Sequence, residues 1–144
     1  MRNEFEFTEN EWDIIVKSDY VSIVSEEDFA FTLRRYMFDI EHMFGINQAE
    51  LSRISGIEST LISKYKDGKR KPPLSAIIIL SLAMKLTPDR SHNLLYKAGY
   101  QLNNCEEHRI YSLFLNGCAF SSKYNLTNCN NYLLSKGYPK LNNK

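Results

Sequence analysis

The amino-acid sequence predicts an all-α protein, and three observations carry that expectation. Apolar residues recur at three- and four-residue spacing, capping boxes of the Ser/Thr/Asn-x-x-Glu type stand in front of them, and glycines close them. No stretch alternates convincingly with period two, the mark of a half-buried strand.

The elements follow in chain order. Thr8-Glu9-Asn10-Glu11 has capping-box form and predicts a short helix from Trp12 to about Lys17. Ser25-Glu26-Glu27-Asp28 repeats a looser version of the signal. Behind it Phe29, Leu33, Tyr36, Met37, Ile40, Met43 and Phe44 mark the inward face of a long amphipathic helix that Gly45 ends. Asn47-Gln48-Ala49-Glu50 is a further box, opening a short helix to Ser55. Gly56 follows, free to take positive φ. The next helix, 58–67, sends Leu61, Ile62 and Tyr65 inward, keeps Ser59, Thr60, Ser63, Lys64 and Lys66 on its other faces, and stops at Asp67-Gly68. Pro72-Pro73 breaks the chain. Leu74 to Leu86 is apolar almost all round, as expected of a central core helix. Thr87-Pro88-Asp89 supplies an N-cap with proline in the first helical position, and Leu94, Leu95 and Ala98 then face inward as far as Gly99. Five helices thus stand between residues 26 and 98. In the tail, Asn104-Cys105-Glu106-Glu107 is expected to cap a helix that buries Ile110, Leu113 and Phe114 and stops at Gly117. A last helix, Thr127 to Lys136 with Leu133 and Leu134, stops at Gly137.

Composition narrows the function class. A chain of 144 residues suits one domain with appendages. Its 43% hydrophobic and 24% charged residues, with 4 prolines and 6 glycines, argue against a disordered or low-complexity chain. No window approaches ~18 consecutive apolar residues, and residues 1–20 carry acids where a signal peptide would carry lysines, so a cytoplasmic protein with no membrane partner is expected. Cys105, Cys118 and Cys129 are odd in number and lack CxxC spacing, which predicts reduced thiols. His42, His92 and His108 lack metal-ligand spacing, so no metal site is expected. P-loop, GxSxG and HExxH motifs are absent, and the one-turn separation of Cys105 and His108 is too common a geometry to name a nucleophile. A non-enzyme without cofactor is therefore expected.

Charge is unevenly divided. Residues 1–30 hold two basic against nine acidic side chains, a balance of −7, and residues 31–144 carry +8. Five of those bases, Lys64, Lys66, Lys69, Arg70 and Lys71, fall within eight residues. Such a run marks either a polyanion partner or a solvated surface.

Two helices around a glycine-containing turn, followed by a buried helix, match a helix-turn-helix inside a five-helix domain. The stretch Asn47-Gln48-Ala49-Glu50-Leu51-Ser52-Arg53-Ile54-Ser55-Gly56-Ile57, with Ser59-Thr60-Leu61-Ile62-Ser63-Lys64-Tyr65-Lys66-Asp67-Gly68-Lys69-Arg70-Lys71-Pro72, closely resembles the Cro/CI-type (Xre family, lambda repressor-like) helix-turn-helix of phage repressors and bacterial regulators. The resemblance spans roughly residues 28–100. It implies a DNA-binding domain over 26–101, preceded by an acidic N-terminal extension, 1–25, and followed by a C-terminal helical pair, 102–144. It further implies that helix 58–67 enters the major groove with Ser59, Thr60, Ser63 and Lys64 toward base edges. Asn47, Gln48, Lys66, Lys69, Arg70 and Lys71 would then lie at phosphates. Two positions depart from the family pattern: Glu58 stands where a short capping residue is usual, and Lys66 where an acid is common. Glu58 either repels phosphate or accepts from a cytosine amine.

A single such motif covers a short half-site, so a homodimer on double-stranded DNA is implied, with recognition helices ~34 Å apart. The tail aromatics Tyr111, Phe114, Phe120, Tyr124, Tyr132 and Tyr138 suit either an intersubunit contact or packing onto the core. The acidic start, with Phe5, Phe7, Trp12, Ile14, Ile15 and Val16, either packs beside the long helix, docks a protein partner or competes with DNA for the basic face. Two functions are expected in competition. One is a sequence-specific transcriptional regulator, a repressor. The other is an interaction protein of a phage or mobile element, an antitoxin or an inhibitor of a host defence nuclease, whose helix-turn-helix controls its own operon.

Overall fold

The computed structural model describes residues 28–142; the acidic extension and the helix expected over Trp12 to Lys17 lie outside the described residues. Within them the chain is all-helical, with seven helices and no strand: α1 (Phe29–Phe44), α2 (Gln48–Ser55), α3 (Ser59–Lys66), α4 (Leu74–Met84), α5 (Pro88–Lys97), α6 (Glu106–Gly117) and α7 (Leu126–Ser135).

α4 organises the rest. Every residue from Ala76 to Met84 is buried, and the helix packs against α1, α2, α5, α6 and α7. A helix apolar on all sides is stable where neighbouring helices cover it on every face. It ends where Lys85 takes a left-handed φ of 52°, which returns Leu86 to the core. α3 is held from its own side by α1 and α2.

The caps follow the local chemistry. The Asp28 carboxylate accepts from the Phe31 amide at 2.8 Å to start α1, so the cap is the last residue of that looser signal. Asn47 starts α2 by accepting from the Glu50 amide at 2.9 Å. That box is one-sided, because the Glu50 carboxylate pairs with Arg53. Thr87 and Pro88 start α5 as expected. α6 departs from expectation: Cys105, not Asn104, occupies the N-cap position and makes no side-chain capping bond. The nearby Asn103 amide donates instead to His108 Nδ1 at 2.8 Å. Asn125 caps α7, which begins one residue before the expected Thr127.

Four expected core residues lie outside. Met43 and Phe44 are exposed because burial along α1 ends at Ile40, so the apolar spacing outlasts its packing partners. In α6 the buried face is made by Tyr111 and Leu115 as well as Ile110 and Phe114, continued by Cys118 just past the helix, and that rotation puts Leu113 into solvent. Leu133 is buried in α7 while its neighbour Leu134 is exposed.

α6 and α7 share one core with α1–α5. Tyr111 and Phe114 are buried in it and Tyr124 and Tyr138 pack against it, whereas Phe120 and Tyr132 remain exposed. Leu141 and Asn142 are tied to α7 by Asn130. Its Oδ1 accepts from the Leu141 amide at 2.8 Å and its Nδ2 donates to Asn142 Oδ1 at 2.7 Å. Among the described residues no helix is long and apolar enough to cross a membrane.

Candidate nucleic-acid interface

The connection between α2 and α3 is three residues long, 56–58, and each is held. Gly56 has a φ of 73°, a left-handed conformation that costs an L side chain about 1–2 kcal/mol. The Ser52 hydroxyl donates to the Ile57 carbonyl at 2.6 Å, and the buried Ser55 hydroxyl accepts from the Ile57 amide at 3.2 Å. At Glu58 no side-chain cap forms, and its carbonyl takes the Leu61 and Ile62 amides. Glu58 is exposed.

α3 divides by the geometry of its turns. Ile62 and Tyr65 are buried and Leu61 half-buried, which anchors one side; Ser59, Thr60 and Lys64 are exposed and Ser63 is half-buried. The helix therefore carries hydroxyls over its first turns and lysines at its end, with about 10 Å of axial rise from Ser59 to Lys66.

Gln48, at the start of α2, crosses to this helix. Its Nε2 lies 3.0 Å from the Ser59 carbonyl, 3.1 Å from Ser59 Oγ and 2.8 Å from Ser63 Oγ. Sequence reasoning placed Gln48 at a phosphate and did not foresee this link, which spans 11 to 15 positions and has no local signal. Asn47, also expected at a phosphate, commits its side-chain oxygen to capping α2.

Beyond α3 the chain reverses at Gly68, φ 74°, and the Lys69 and Arg70 amides both donate to the Lys64 carbonyl, at 2.9 and 3.3 Å. This folds the basic run back against the C-terminal end of α3. Lys69, Arg70 and Lys71 are exposed and Lys66 is half-buried. Lys71 Nζ sits 4.6 Å from the Tyr100 ring centroid, and the Tyr100 hydroxyl donates to the Pro72 carbonyl at 2.8 Å, so this cation is positioned by an aromatic ring.

Arg34 is a basic residue the sequence reading missed: its guanidinium donates to the Lys66 carbonyl from α1. Its only sequence signal is a charged position on the polar side of an amphipathic helix. On the outer side of α2 the Arg53 guanidinium holds the Glu50 carboxyl below the usual carboxylate range, chiefly through their hydrogen bond. These two charges largely neutralise each other at the rim.

Among the described residues no group of three or more His, Cys, Asp or Glu is placed to hold a metal ion. Cys118 and Cys129 are buried free thiols, pushed up to about 11 and about 12 by desolvation, and Cys105 is free and exposed. Comparison with family models, curated proteins and solved structures gives no match for this chain.

Proposed function

We propose that the chain is a sequence-specific regulator that binds double-stranded DNA through a Cro/CI-type helix-turn-helix formed by α2 and α3, with α1–α5 as its five-helix domain. The observation that carries this reading is the row of exposed Ser59, Thr60 and Lys64, with half-buried Ser63 among them, on a helix bounded at its far end by Lys66, Lys69, Arg70 and Lys71. Eight residues of α-helix are about 12 Å long, and the major groove is about 12 Å wide. Inserted there, Lys64 donates to guanine O6 or N7, the Thr60 methyl meets a thymine methyl, and the basic run takes phosphate oxygens. Arg34 joins that run from α1.

The reading implies a homodimer. Leu113, Phe120, Tyr132 and Leu134, all exposed on α6, α7 and the segment between them, support the C-terminal pair as the contact between copies. Occlusion of a promoter by such a dimer makes the protein a repressor.

The test is fluorescence anisotropy on DNA from the gene's own upstream region and on scrambled DNA, for the wild type and a Ser59→Ala, Thr60→Ala, Lys64→Ala triple variant. Preference for the upstream DNA, lost in the variant while salt-sensitive binding persists, is the expected result. Weak and equal binding to both DNAs by the wild type would sink the reading. A second reading, an interaction protein of a mobile element, is favoured by the exposed Phe38, Met43 and Phe44 on α1. Gene neighbourhood separates the two, since an adjacent toxin or phage cassette supports the second.

A further inference from the structure

We infer that the groove between the start of α1 and the basic run is a docking surface for the chain's own acidic N-terminal segment, which enters it with Glu11-Trp12-Asp13 and so competes with DNA for Arg70 and Lys71. The consequence for DNA rests on the DNA-binding reading above and adds a regulator carried on the same chain.

The groove has a volume of about 290 Å³. Its floor is apolar, made by Phe29, Ala30, Tyr65 and Ala98, and its rim carries Arg70, Lys71 and Lys97. Among the described residues Asp28 is its one acid, and that carboxylate caps α1 through the Phe31 amide. The two walls stand close: a Cβ on Gly68, within the basic run, would lie 3.6 Å from the Ala30 Cβ on α1. Arg70 and Lys71 are exposed, and neither forms an ion pair among the described residues. An apolar floor beneath such cations suits an aromatic ring with a carboxylate on either side of it.

The chain supplies that group and delivers it to this place. Residues 1–27 hold eight acids against Arg2 and Lys17, a balance of −6. They join the described domain at Asp28, on the wall of the groove. Covalent geometry keeps the Glu27 and Glu26 Cα atoms within about 4 and 8 Å of the Asp28 Cα, so acids stand near the cationic rim whatever path the chain takes. Further out, an aromatic residue between two acids occurs at Glu4-Phe5-Glu6 and at Glu11-Trp12-Asp13. Trp12 is the nearer to Asp28, within a reach of at most about 55 Å, and the shorter loop costs less entropy to close. With its ring on the floor, the flanking carboxylates meet Arg70 and Lys71. Phosphates take the same cations, so the segment and a duplex exclude each other.

Trp12 is the only tryptophan of the chain, which makes its fluorescence a direct probe of the docking. The experiment records Trp12 emission of the full chain, as wild type and as the Arg70→Gln, Lys71→Gln variant, with and without a random-sequence duplex, at about 50 and about 500 mM salt. Anisotropy on the same duplex follows for Glu11→Gln, Asp13→Asn and for a charge-matched control on α6, Glu106→Gln, Glu107→Gln. Wild-type emission should move to the red in high salt and on addition of duplex, and the groove variant should start red. Neutralising Glu11 and Asp13 should tighten duplex binding roughly 2- to 30-fold at low salt, the worth of two exposed ion pairs, and the control should gain less because its charges act only at long range. Emission unmoved by the groove variant, salt and duplex overturns the docking, as does an equal gain in the control. Emission that depends on protein concentration overturns the intramolecular occupant in favour of a second copy. A Trp12 response to the groove variant with no duplex bound supports the docking and overturns the DNA-binding reading instead. Should the groove variant fail to fold, the salt and duplex titrations of wild type still decide.

Discussion

Replacing Lys69 and Arg70 with glutamine tests the division of labour between the two ends of α3. Both side chains are exposed, both follow the reversal at Gly68, and among the described residues neither has an ion-pair partner. Each phosphate contact adds about 0.9 to the slope of log affinity against log salt. Raising salt from about 50 to about 200 mM then weakens binding about 3.5-fold per contact, or about 40-fold for Lys66, Lys69 and Arg70 together. The double variant should lower the slope by about 1.8 and remove about 12-fold of that salt sensitivity. Its preference for upstream over scrambled DNA should not move, because phosphate contacts carry no base information. The assay is anisotropy titration on both DNAs across that salt range. An unchanged slope, or a loss of sequence preference with the slope intact, refutes the assignment of these side chains to the backbone.

Further outcomes are expected from the fold. Gly56→Ala should cost about 1–2 kcal/mol in urea unfolding from its φ of 73° alone, since an added Cβ there meets nothing within 4 Å. At Gly117 the opposite holds: its Cβ would lie 2.5 Å from the Tyr124 ring, so Gly117→Ala should destabilise wild type but stabilise a Tyr124→Ala background by about 1 kcal/mol through helix propensity. Tyr36→Phe keeps the ring under the Arg35 and Arg90 guanidinium groups but strips the buried Asn93 Nδ2 of its 3.0 Å partner, beside an Asn93 Oδ1 that already lacks one; a loss of about 1–3 kcal/mol is expected, largely recovered by adding Asn93→Leu. Burial pushes Cys118 up to about 11 and Cys129 and Tyr111 up to about 12, above ordinary values of 9.0 and 10.0, so the unfolded chain loses these protons first. The stability these three groups contribute is therefore intact below about pH 8.5 and falls as pH rises from about 9 toward 12, and a urea midpoint that climbs above pH 9 would contradict this.

Much of the fold was legible because helix ends are decided locally. Asn47 and Thr87 cap where their side chains reach an amide three residues on, and Gly56 turns where only glycine is unstrained. Periodicity was less informative, since it says which residues share a face and not where the covering helix stops. Met43 and Phe44 continue the α1 spacing past the last buried residue, Ile40. Gly117 read as a helix stop, yet it is the last helical residue and its missing Cβ makes room for the Tyr124 ring, a tertiary reason invisible at short range.

The candidate site shows the same boundary more sharply. The exposed face of α3 was readable, because 3.6-residue spacing separates Ser59, Thr60 and Lys64 from Ile62 and Tyr65. The direction of its hydrogen bonds was not. A hydroxyl offers a proton and lone pairs at once, so composition alone admits every base. Part of each hydroxyl's capacity is taken up by a third group, an amide on another helix that also reaches the Ser59 carbonyl at 3.0 Å. The placement of Ser59 and Ser63 is thus a property of the pair α2 and α3, and Gln48→Ala should cost about 0.5–1.5 kcal/mol per hydrogen bond lost in urea unfolding, an unchanged unfolding free energy counting against the link.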